Sequence, residues 1–127
     1  MDNPLMDVEG ARERLEAWKA RAEQRAAETQ AASEELQALR ATAADDNRIV
    51  EATIDSRGAL VDIQLSSRIQ RQAPEHTKAA ILGAYRNAQK KLAEAAAAVV
   101  GSTVGAESAT GRALLSGFKA NDEGEGR

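Results

Sequence analysis

The chain has 127 residues, a formal net charge of −3, one histidine and no cysteine. These numbers exclude disulfides, thiol chemistry, Cys-ligated zinc and a multi-histidine metal site, and they give no overall basic signature of a nucleic-acid binder. Aromatic residues make up 2% (Trp18, Tyr85 and Phe118), so the core must be aliphatic and alanine-rich, and a platform of several base-stacking aromatics cannot form.

The length fits one domain. Residues 1–6 read as a flexible lead-in, and the opening MDNPLMDVEGARERLE has no apolar stretch of a secretory signal. No run approaches 18 consecutive apolar residues, so no membrane span is expected and the reading is a cytoplasmic protein. Residues 7–43 are rich in helix formers and predict one long helix. Its apolar positions fall on a heptad, with Val8, Leu15, Ala22, Leu36 and Ala43 on one position and Ala11, Trp18, Ala32 and Leu39 on the other. Arg25 and Thr29 interrupt that coiled-coil-like seam. Such a helix runs about 55 Å, whereas a domain of about 100 residues has a radius of gyration near 13 Å. It must project.

Residues 48–55 and 59–65 read as a β-hairpin. Val50, Ala52 and Ile54 alternate with polar neighbours, Asp55-Ser56-Arg57-Gly58 supplies a turn, and Val61, Ile63 and Leu65 alternate again. Residues 66–73 fit a loop, a short third strand or a helical turn. Pro74 then opens a second helix, residues 74–100, with Ile81, Ala84, Tyr85, Ala88, Leu92, Ala95, Ala96 and Val99 on one face. Arg86, Lys90 and Glu94 fall opposite, and Gly101 is a natural stop. Residues 101–127 read as a mostly disordered tail, in which Leu114, Leu115 and Phe118 could anchor a short helix.

The order predicts an α+β fold in which the second helix packs on the sheet, burying Val50, Val61, Ile63 and Leu65. One sheet and one helix bury little area, so a homodimer is expected. Its core and interface candidates are Val50, Ile54, Val61, Ile63, Leu65, Leu15 and Trp18.

Three stretches carry a family resemblance: the strand Val50-Glu51-Ala52-Thr53-Ile54, the hairpin Gly58-Ala59-Leu60-Val61-Asp62-Ile63, and the helix Ile81-Leu82-Gly83-Ala84-Tyr85-Arg86-Asn87-Ala88-Gln89-Lys90-Lys91. Over residues 7–101 the chain resembles the YbaB/EbfC family of bacterial nucleoid-associated proteins, and its Ala/Arg-rich composition is similar to the actinobacterial branch, whose paralogues include secretion-linked proteins. The resemblance implies a tweezer-shaped homodimer with projecting helical arms, sequence-tolerant binding of double-stranded DNA and a place on the nucleoid. Members often end in a Gly/Met-rich segment; this tail has no Met.

The charge distribution fits that implication. Residues 66–93 hold six basic side chains (Arg68, Arg71, Lys78, Arg86, Lys90 and Lys91) and one acid, Glu75, leaving −8 on the rest of the chain. These are the candidate phosphate contacts; nothing suggests base readout. The second function class is a dimeric adaptor whose helical arms grip a protein partner. Catalysis is not expected. His76 beside Glu75 cannot work as a facing acid/base pair on a helix, no nucleophile or phosphate loop accompanies them, and no cofactor is called for.

Overall fold

A computed structural model describes residues 7–105 and 107–125, with side chains as far as Phe118. The expected lead-in at 1–6 lies outside the described residues. The elements are α1 (Val8–Ala38), β1 (Arg40–Ala44), β2 (Val50–Asp55), β3 (Leu60–Leu65), a short 3₁₀ helix (Ser67–Arg71), α2 (Pro74–Thr103) and α3 (Ala109–Glu125). The fold is α+β, as the pattern of helix, hairpin and helix predicts. The strands form one antiparallel sheet in the order β1-β2-β3, and α2 packs against β1 and β2.

The first helix ends at Ala38, not at residue 43. Leu39 turns extended (φ −64°, ψ 140°), and Arg40–Ala44 becomes a strand paired with β2, Ala41 opposite Ile54 and Ala43 opposite Ala52. Alanine favours helix by only a fraction of a kcal/mol per residue. Here burial of Ala41 beneath Leu92 and pairing with β2 outweigh it. Thr42 and Thr53, opposite each other on the other face, join their hydroxyls at 2.7 Å.

One carboxylate organises the β1–β2 turn. Asp45, 7% exposed, accepts hydrogen bonds from the backbone N–H of Asn47 (3.1 Å), Ile49 (2.7 Å) and Val50 (2.7 Å). Burial pushes its pKa up, but the donors of Val50, Ile49 and Asn47 together outweigh burial and hold it below the ordinary 3.8. Arg48 completes the turn in the left-handed region, φ 56°. In the second turn Asp55 Oδ1 accepts from Arg57 and Ala59, Gly58 takes φ 82°, and the Tyr85 hydroxyl donates to the Gly58 carbonyl at 2.6 Å.

The core is built of small residues. Ala80, Ala84, Ala88, Leu92, Ala96 and Val100 repeat every fourth position on α2 and are buried. They meet Val50, Ala52, Ile54 and Ala41 of the sheet. The expected core extended across β3, but Val61 (43% exposed) and Leu65 (48%) lie open, and Ile63 is half-buried. Two causes act. The helix covers β1, which the hairpin reading lacked, and the β2–β3 register slips between Thr53 and Ile54, so that Ile54 pairs with Leu60 and leaves Val61 as the extra residue.

In the C-terminal half the structure selects the helical turn among the three alternatives at 66–73, moves the end of α2, and gives the tail more helix than expected. Residues 66–73 contain a 3₁₀ helix capped by Ser66, whose hydroxyl accepts from the Arg68 N–H. Gly101 sits inside α2, which ends instead at Thr103 and is followed by Gly105 with φ 85°. The tail carries α3, whose Leu114, Leu115 and Phe118 pack on Leu36, Ala96 and Val100.

Because Asp45 ionises more readily folded than unfolded, its stabilisation is complete above about pH 4 and fades as pH falls through the lower folded value. Asp45→Ala should cost about 2–3 kcal/mol at pH 7. In urea titrations the gap between variant and unaltered chain should narrow towards pH 2.

Candidate nucleic-acid interface

The six cations of residues 66–93 divide by what their side chains do. Arg68 Nη2 donates to the carbonyls of Asn47 (2.8 Å) and Arg48 (3.0 Å), clamping the β1–β2 turn. Lys91 Nζ donates to the Thr42 carbonyl at 3.0 Å. Beside it Asn87 donates to the Ala44 carbonyl at 2.9 Å, so α2 occupies the outward carbonyls of β1. Arg71, Lys78, Arg86 and Lys90 are exposed and make no hydrogen bond or ion pair among the described residues.

Those four do not form one patch. Arg86 and Lys90 are one helical turn apart on α2 and line an open groove of about 520 Å³ floored by Ala79, Ala80 and Gly83. His76 lines it from the same helix; Asp46 and Asn47 line it from the turn. Lys78 lies about 80° around the helix from Arg86 and 120° from Lys90. Arg71 belongs to the 3₁₀ helix. The structure thus keeps Arg86 and Lys90 together, gives Arg68 and Lys91 to main-chain carbonyls, and leaves Arg71 and Lys78 apart.

A second basic surface lies on α1. From Val8 to Ala31 this helix contributes no buried residue, a length of about 36 Å, and only Ala32 and Leu36 at its base are buried. At 100° per residue Leu36 and Ala32 share a direction with Trp18, and so do Arg14, Arg21 and Arg25, all within about 60° of it. No carboxylate of α1 falls inside that sector; Glu9, Glu13, Glu16 and Glu23 lie on the opposite side. The arm therefore has a basic, tryptophan-bearing face continuous with its anchored base, bordered by Glu28 beside Arg21 and Arg25, and a predominantly acidic back that also holds Arg12 and Lys19. Trp18 is 56% exposed and Leu15 55%. Arg14 carries one exposed ion pair, to Asp7 at 3.3 Å, a contact of small energy.

The heptad reading missed this surface. At a period of 3.5 residues, Arg25 looks like a break in an apolar seam; at the true 3.6 it joins Arg14, Trp18 and Arg21 as a stripe.

With this geometry, the chain matches the model of the YbaB/EbfC DNA-binding family across residues 12–107. It belongs to that family. No curated protein matches the chain. The family match spans the arm, the sheet and all of α2 but stops before α3. YbaB/EbfC proteins are DNA-binding and nucleoid-associated, which makes DNA the partner class against which the basic surfaces are to be judged. Among the described residues no helix is long and apolar enough to cross a membrane.

The division of cations is open to test. Arg68→Ala should lower stability by about 1–2 kcal/mol, because two turn carbonyls lose a charged donor. Arg86→Ala and Lys90→Ala should each stay within about 0.5 kcal/mol. Chemical denaturation of the three variants checks the ordering.

Proposed function

We propose that the protein is a homodimeric, cytoplasmic nucleoid-associated protein that holds double-stranded DNA through its phosphates with little sequence preference. One observation carries the reading: the sidedness of α1, which collects Arg14, Arg21 and Arg25 around Trp18 and sends Glu9, Glu13, Glu16 and Glu23 to the opposite side, leaving Glu28 at the margin of the stripe. Guanidinium groups spaced one or two helical turns apart along an arm can track a phosphate backbone, and releasing its counterions drives binding. Arg86 and Lys90 supply a smaller second contact, with Arg71 and Lys78 as flanking charges. The role is binding, with no catalytic group assigned.

Dimerisation is supported by the apolar surface that one chain leaves open. Val8, Leu15 and Trp18 on the arm, Leu60, Val61 and Leu65 on β3, and Leu82 on α2 are all more than 40% exposed. Light scattering at micromolar concentration should return twice the chain's 13.5 kDa; a monomeric mass would remove the dimer from the proposal.

The DNA reading is tested by titrating a duplex at two or more salt concentrations. Arg21→Ala with Arg25→Ala should weaken binding to all sequences alike and reduce the salt slope by about two units for each arm in contact with the duplex, one for each phosphate contact. Arg86→Ala with Lys90→Ala should reduce it by less. Trp18 is the one tryptophan of the chain, so its fluorescence should change on titration. An unaltered slope in the arm variant would eliminate α1 as the contact.

A second reading, a dimeric adaptor that grips a protein through the arms, draws on the exposed Leu15 and Trp18. A stoichiometric complex that forms after nuclease treatment and competes with no DNA would favour it.

A further inference from the structure

Helix α3 begins at Ala109, just past the segment that matches the family, yet it is built into the narrow joint between the α1 arm and α2. Of the long arm α1, only Ala32 and Leu36 are buried. Leu36 shares its cluster with Ala96 and Val100, and Leu114, Leu115 and Phe118 of α3 close that cluster from the far side. Phe118 also packs on the cluster of Ala41, Ile54, Ala88 and Leu92. One short helix thus touches the base of the arm, the last turns of α2 and the centre of the core.

The fold-back is specified by particular residues. Gly105 follows α2 with φ 85° and donates its N–H to the Val100 carbonyl at 2.7 Å. Ser108 caps α3, its hydroxyl accepting from the Gly111 N–H at 2.9 Å. Gly111 is buried, and a Cβ there would collide with the Gly105 carbonyl and crowd the Val100 side chain at 3.0 Å. This docking requires glycine at 111. Intrinsically, however, α3 is a poor helix, with Thr110, Gly111, Ser116, Gly117, Asn121, Asp122 and Gly124 among its residues. Its docking rests on three half-buried side chains. A specific seat combined with low intrinsic stability characterises a segment that opens locally while the rest stays folded.

We propose that α3 is a detachable brace that fixes the direction of the α1 arm. Docked, it clamps Leu36 between itself and α2, and the basic face of the arm points one way. Released, the arm is held by its contact with α2 alone and swings. The brace concerns the arm's motion and rests on the DNA reading only for what the motion controls.

The full-length chain tests this without any ligand. Gly111→Val removes the space on which docking depends; amide exchange should rise about tenfold in residues 30–38 as well as in α3. Trp18 sits on the arm, so its time-resolved anisotropy should gain a nanosecond segmental component. Gly117→Ala acts in the opposite direction, since nothing lies within 4 Å of an added Cβ. It should slow exchange of α3 about fivefold and stiffen the arm. That variant keeps every packing contact, so a misfolded Gly111→Val does not end the test. If α3 loses protection while residues 30–38 and Trp18 stay unchanged, or if Gly117→Ala protects α3 and leaves the arm as it was, the brace is wrong. Duplex affinity should fall several-fold in Gly111→Val. Absence of DNA binding by the unaltered chain would instead refute the proposed function and leave the brace standing.

Discussion

Helix α2 can lie against the sheet only because both surfaces are small. Ala80, Ala84 and Ala88 face Ala41, Ala52, Val50 and Ile54, and none of these seven residues is more than 6% exposed. Small side chains let backbones approach closely, and close approach is what places polar side chains of α2 within reach of the main chain of the sheet and its turn. Asn87 meets the Ala44 carbonyl, Lys91 the Thr42 carbonyl, and Tyr85 the Gly58 carbonyl. A bulkier interface would hold α2 further out and break all three. With aromatic residues so scarce, the fold gains its cohesion from proximity and directed hydrogen bonds, where a larger-cored domain would use volume.

The parts legible in the sequence are those governed by local periodicity. Val50, Ala52 and Ile54 alternate because one face of β2 is buried, and Asp55 to Gly58 form a turn by their own chemistry. Strand β1 was illegible because RATAA has no strand signature. It is extended because β2 and α2 make it so, a non-local cause. Helix α3 was legible only as the short helix that Leu114, Leu115 and Phe118 could anchor; the packing requirement at Gly111 is visible only in three dimensions. At the candidate interface, the exposure of Arg86 and Lys90 followed from the helical period. The capture of Arg68 and Lys91 by carbonyls depends on strand positions that the sequence did not reveal. The arm's basic face was visible in principle, but a coiled-coil period obscured it.

An acidic chain in a DNA-binding family looks contradictory until the charge is resolved in space. On α1 Glu9, Glu13, Glu16 and Glu23 occupy the back of the helix and Arg14, Arg21 and Arg25 the front, with Glu28 at the margin beside Arg21 and Arg25. In physiological salt, fields decay over about 8 Å. A polyanion approaching the front is thus largely screened from the back, and net charge is a poor guide to what each side can hold.

The two edges of the sheet are unequal. The outward carbonyls of β1 at Thr42 and Ala44 are already bonded to α2, whereas β3 pairs only with β2 among the described strands. A strand can therefore be added at one margin and not at the other. Unbounded growth of a sheet needs two receptive margins on every copy, so each added chain presents another acceptor. With one margin closed, edge-to-edge association terminates after a single pairing. In an alanine-rich chain with exposed apolar residues on β3, Asn87 and Lys91 thus occupy the acceptors of one sheet margin and leave the other as the margin open to a further strand.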